Sequence, residues 1–110
     1  MNSPNALVVM TTAPNEEVAQ HLAETLVQEG LAACVHILPQ GRSFYIWEGT
    51  IHKDEEWTLL LKTRRDAYPQ LEKRLSTLHP YDVPEILALD VEQGLAPYLT
   101  WLTTSVGTIT

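Results

Sequence analysis

The sequence predicts an α+β fold in which helices lie on one face of an antiparallel sheet. Two observations lead there. Apolar spacing alternates along the chain between strand-like and helix-like stretches in the order β-α-β-β-α-β, with a further helical stretch after it. The helical stretches each carry a single apolar stripe, which must be buried against another layer. A length of 110 residues sets the scale at one domain, residues 1–110.

Residues 6–12, Ala-Leu-Val-Val-Met-Thr-Thr, read as a buried strand closed by Pro14. A helix follows, with Asn15 as N-cap, Glu16 and Glu17 at the positive end of its dipole, and Gly30 as its stop. Val18, Ala19, Leu22, Ala23, Leu26 and Val27 form its stripe. From Leu31 to Trp47 the pattern is strand with an irregular centre at Pro39-Gln40-Gly41, and Cys34 and His36 share one face. Residues 48–56 are polar and read as a turn, after which Trp57 to Thr63 form a strand. Trp57, Leu59 and Leu61 fall on one face of it, and Leu60 and Lys62 on the other.

A second helix begins near Asp66, tolerates Pro69 in its first turn, and aligns Tyr68, Leu71, Leu75 and Leu78 before His79-Pro80 stops it. Glu85 to Val91 read as the last strand. Gly94 leads into a short helix with a stripe of Leu95, Tyr98, Leu99 and Leu102. Residues 1–5 and 105–110 read as frayed tails. This order is the split βαβ, ferredoxin-like arrangement with an extra C-terminal helix. Two helices cover only one sheet face, and the hairpin from Ser43 through Thr63 is too long for the sheet, so a symmetric oligomer is expected.

Composition narrows the function. With 45% apolar residues and three tryptophans the chain folds, and no apolar run approaches the roughly 20 residues of a membrane span. Fourteen acidic against seven basic residues give a net charge of −7, which repels nucleic acid and anionic membrane and favours cations. A start without basic residues does not read as a signal peptide, and a lone cysteine, Cys34, suits a reducing compartment; the cytoplasm is the expectation.

Catalytic patterns are absent. The five glycines form no phosphate-cradling loop, and no serine stands in a nucleophile elbow. Cys34 among apolar residues reads as an inert small hydrophobe rather than a nucleophile. Cys34 and His36, two residues apart on a strand, could hold a soft metal, although a half-buried strand pair explains them as well. The run His79-Pro80-Tyr81-Asp82-Val83-Pro84-Glu85 is more pointed. Two prolines fix the backbone while His, Tyr, Asp and Glu are presented between a helix and a strand. The alternative is a rigid turn with His79 capping the helix carbonyls.

Together these residues resemble the CutA family, the divalent-cation-tolerance proteins. The matching stretches are Thr11-Thr12-Ala13-Pro14, Leu31-Ala32-Ala33-Cys34-Val35, Tyr45-Ile46-Trp47-Glu48-Gly49 and Leu61-Lys62-Thr63. They continue through His79 to Glu85 and Tyr98-Leu99-Thr100-Trp101-Leu102, so the likeness spans residues 6 to 103. The resemblance implies a cytoplasmic, non-catalytic homotrimer similar to the PII signalling proteins. It also implies a link to copper and other divalent cations. Thr11 and Arg74 stand where a member carries extra cysteines, which weakens a thiolate copper site. On this reading the metal candidates are His79, His36 and Cys34. The alternative is a PII-like sensor binding a polar metabolite in intersubunit clefts lined by Trp47, Glu56, Lys62, His79, Tyr81, Glu85 and Trp101. In that cleft Lys62 is expected to meet a carboxylate, since its burial would otherwise be costly.

Overall fold

The structure, a computed structural model, describes residues 4–107. These form five strands and three α-helices: β1 (Leu7–Ala13), α1 (Glu16–Gln28), β2 (Cys34–Ile37), β3 (Gly41–Trp47), β4 (Thr50–Thr63), α2 (Tyr68–Leu78), β5 (Leu87–Asp90) and α3 (Ala96–Ser105). All pairings are antiparallel, in the order β2-β4-β1-β5, with β3 on β4.

The local signals act as expected in the first half. Asn15 Oδ1 accepts from the Val18 N–H at 2.8 Å, which fixes the start of α1. Gly30 ends it with φ +74, a conformation only glycine adopts cheaply. The stripes of α1 and α2 then bury Ala19, Leu22, Leu26, Leu71 and Leu75 against Val9, Leu59 and Leu61 of the sheet. Pairing of Val9 with Leu61 and of Thr11 with Leu59 places these residues on one face.

Four expectations need correction. Residues 48–56 are not a turn: only Glu48 and Gly49 are, both at positive φ, and β4 runs without a break from Thr50 to Thr63. Such a two-residue loop matches the twist of its flanking strands, so Trp47 pairs with Thr50 and seven residues on each side zip together. The last strand runs from Leu87 to Asp90 rather than from Glu85 to Val91, and it pairs with Leu7 to Met10 of β1. In α3 only Leu102 is buried, while Leu95 and Tyr98 of the expected stripe are exposed. The tails are partly tied down. Asn5 Oδ1 accepts from the Arg65 N–H at 3.2 Å, Val106 is buried, and Gly107 N–H donates to Gly30 O at 2.8 Å. Gly30 and Gly107 touch so closely that a Cβ on Gly30 would meet the Gly107 Cα at 3.0 Å. The remainder of both expected tails, residues 1–3 and 108–110, lies outside the described residues.

The consequence for the site is the overhang. Residues 50–56 of β4 extend past β1 and β2 with only β3 beside them, and the molecule measures 46 Å along its longest axis.

Candidate functional site

Strand alternation divides the overhanging hairpin into two faces. Ser43, Tyr45, Trp47, His52, Asp54 and Glu56 share one, and Phe44, Ile46 and Ile51 the other. The polar face looks onto the segment from His79 to Glu85, and between them lies a groove of about 500 Å³. Tyr45, Trp47, Asp54, Glu56, Tyr81 and Asp82 line it.

Glu56 joins the two sides. Its Oε2 accepts from the Tyr81 hydroxyl at 3.0 Å and its Oε1 from the Ser43 hydroxyl at 2.6 Å. Burial, together with the bond to Glu56, pushes the Tyr81 phenol up to about 12, so it stays a donor. Next to it the Tyr45 hydroxyl donates to Asp54 Oδ2, and that bond raises the Tyr45 phenol above its ordinary value. The Tyr45 ring also stacks on His52, centroids 5.5 Å apart and 16° from parallel.

The segment holding Tyr81 is anchored by His79, which is buried. The Tyr81 N–H donates to His79 Nδ1 at 3.1 Å, which places the ring hydrogen on Nε2, and Nε2 donates to the Thr12 carbonyl at 2.6 Å. The ring therefore reaches across to β1 rather than capping its own helix; the helix end is met by the His79 backbone N–H, bonded to Leu75 O at 2.9 Å. Its ring also packs against Tyr81, with centroids 4.8 Å apart.

Trp47, Glu56 and Tyr81 of the expected cleft thus meet in one groove. The others do not join it within one chain. Lys62 lies farther along β4, beside α3, and its partner is a phenol rather than the expected carboxylate: Nζ donates to the Tyr98 hydroxyl at 2.9 Å and lies 5.2 Å from the ring centroid. That hydrogen bond raises the Lys62 ammonium above its ordinary value. Trp101 extends this cluster, its ring 5.5 Å from Tyr98. Glu85 is exposed and lines neither. Tyr45 and Asp54 were missed as site residues because the turn assigned to 48–56 hid their cross-strand placement. Tyr45 at two residues from Trp47, and Asp54 at two from Glu56, is the signal that would have found them.

The metal candidates fare differently. Both His79 ring nitrogens are engaged by backbone groups, leaving no lone pair for a metal. Cys34 and His36 lie on the sheet face away from α1 and α2, with Cys34 paired directly to Lys62, whose ammonium opposes a bound cation. No group of three His, Cys, Asp or Glu side chains able to hold a metal is found among the described residues. The residues present do not fit a closed copper centre. Of the two positions where the resemblance places cysteine, Arg74 instead forms a two-pronged bond to Glu29, both contacts at 2.8 Å, and Thr11 is buried in the core.

A second hollow of about 540 Å³ lies between α2 and the turn. It has no aromatic wall and holds none of the expected site residues, so the hairpin groove is the better candidate.

Comparison with known proteins places this architecture. The profile of the CutA1 divalent ion tolerance protein family matches residues 7–105. The chain belongs to the CutA1 divalent ion tolerance family. Among curated CutA relatives, the divalent-cation tolerance protein of Thermus thermophilus is 49% identical over 100 residues, 91% of this chain and 97% of that one. A CutA from Arabidopsis thaliana, named chloroplastic, is 44% identical over 91% of this chain, which spans 55% of that protein. The solved Thermus thermophilus CutA structure superposes with a TM-score of 0.89 at 48% identity, covering 93% of this chain and 99% of that one. The expected family is therefore confirmed. Among the described residues no helix is long and apolar enough to cross a membrane.

Proposed function

We propose that the chain is the ferredoxin-like protomer of a cytoplasmic, non-catalytic homotrimer, and that it serves divalent-cation tolerance by binding a small ligand in the hairpin groove. The observation that carries this is the Glu56 carboxylate. It is held by Ser43 and Tyr81 from both sides of a groove large enough for a small molecule and walled by Trp47. A ligand there would bridge the hairpin and the His79–Glu85 segment, and a neighbouring copy packed on the hairpin would close the open side.

This reading departs from a copper site. Imidazole and thiolate are the donors copper prefers, and here they are either engaged or isolated. The groove offers carboxylates and ring faces instead. The sensor-type function and the tolerance name are thereby compatible: the cation response would pass through the ligand state of the trimer.

The test is a native mass spectrum of the protein taken directly from cells, with Glu56→Gln and Trp47→Ala beside it. A three-chain particle carrying a small-molecule adduct that both variants lose is expected. A bare particle, or an adduct retained in both variants, would sink the proposal.

A further inference from the structure

The groove has a chemistry that selects among small molecules. It combines three aromatic rings, Tyr45, Trp47 and Tyr81, with three carboxylates, Asp54, Glu56 and Asp82, and no lysine, arginine or histidine lines it. The hydroxyl donors at its walls are already spent. Ser43 and Tyr81 donate to Glu56 and Tyr45 donates to Asp54, so an entering anion finds no free hydroxyl. The acceptors are not spent. Two carboxylates offer about four lone-pair positions each, and three hydroxyls occupy fewer than half of them. Nor is their charge cancelled, since the ion pairs among the described residues join Arg64 to Asp66, Arg65 to Asp90 and Arg74 to Glu29.

Trp47, 61% exposed, leaves its indole face open beside this negative charge. An indole face is the strongest of the aromatic cation binders, and aromatic walls with nearby carboxylates are the means by which proteins hold ammonium groups. A bare divalent ion would rely on ligating oxygens rather than ring faces, and the carboxylates here are not gathered into a cluster of three able to hold a metal.

We infer that the groove binds an organic cation, an alkylammonium or guanidinium group, with the charge over Trp47 and between Asp54 and Glu56. The inference rests on the groove being a binding site and names the class of ligand it takes. It also gives the net charge of −7 a local role, since cations would be drawn toward the molecule before they reach the groove.

The test is calorimetric titration of the assembled protein with choline and with 3,3-dimethylbutan-1-ol, which has the same shape without the charge. Choline is expected to bind at least about tenfold more tightly, as charge over an indole between carboxylates requires. Trp47→Ala and Glu56→Gln should each weaken choline about tenfold or more, with the sedimentation coefficient unchanged. If Glu56→Gln disturbs assembly, Asp54→Asn replaces it, because Asp54 is exposed and bonds only to Tyr45. Equal binding of the neutral alcohol, choline binding that survives the substitutions, or no choline binding at all would each overturn the inference. A native adduct lost in Glu56→Gln, beside indifference to choline, would remove the cation class and leave the binding site standing. Silence in both experiments would remove both.

Discussion

The two halves of β4 are equal in length and continuous in backbone, yet their surroundings are opposite. From Trp57 to Thr63 the strand pairs with β1 on one side and, over Leu59 to Lys62, with β2 on the other; Leu59, Leu61 and Thr63 are completely buried under the helices. From Thr50 to Glu56 it pairs with β3 alone, and Ile51 there is 71% exposed, as is Ile46 opposite it. The first half is the centre of a core. The second leaves apolar side chains that no other described residue covers. Isolated hairpins are marginal in water, so a 14-residue strand half of which overhangs needs a further surface to rest on. The proposed assembly would supply that surface, and the groove lies on the half it would complete.

The largest expected effect separates the halves directly. Leu61→Ala should destabilise the protein by about 2–5 kcal/mol in chemical denaturation at any protein concentration, since it opens a cavity in the core. Ile51→Ala should destabilise by an amount that varies with protein concentration, because its apolar contacts would lie between chains. A concentration-independent cost of similar size at both positions would erase the distinction.

A smaller effect tests the junction. Glu56→Ala leaves the Ser43 and Tyr81 hydroxyls without their acceptor, and should cost about 1–3 kcal/mol. Tyr81→Phe, which removes only the donor, should cost less. The reverse ranking would mean that Tyr81, rather than Glu56, organises the groove.

The core half also has a flaw that can be repaired. Thr11 Oγ1 is buried with no hydrogen-bond partner among the described residues. Thr11→Val keeps the shape and removes the orphaned hydroxyl, and should raise stability by about 1 kcal/mol in the same denaturation assay. A loss of stability would show that the hydroxyl has a partner after all.

Much of this was legible in the residues. Asn15, Gly30 and the leucine stripes announce α1 and α2 because capping and burial act within a few turns of chain. Trp47, Glu56 and Tyr81 were singled out and do meet. The extent of β4 was not legible, because Glu48-Gly49 is a weaker turn signal than Asn-Gly and the charges of 50–56 imitate a loop. A strand solvated on one face and unpaired on its outer edge has the composition of a turn, and only cross-strand pairing tells them apart. The partner of Lys62 was hidden for another reason. Its bond to Tyr98 spans 36 positions and depends on how α3 returns to the sheet.

The smallest effect lies at alkaline pH. Tyr68 and Tyr81 both titrate near 12, each raised chiefly by burial and then by a bonded glutamate, Glu72 and Glu56 respectively. A phenol raised above its unfolded value near 10 contributes stability that is complete below pH 10 and is lost as pH climbs toward 12. Tyrosinate absorbance should show late-titrating phenols, with one fewer in Tyr81→Phe. Ordinary titration of all four tyrosines would contradict the groove geometry.

The measurement that bears most directly on the difference between the two halves of β4 is sedimentation equilibrium of the wild type beside Ile46→Asp. The wild type should sediment as three 12.4 kDa chains at micromolar concentration, and the charged variant should fall apart into smaller species. A stable wild-type monomer, or a trimer indifferent to aspartate at position 46, would show that the overhanging half of β4 stands by itself.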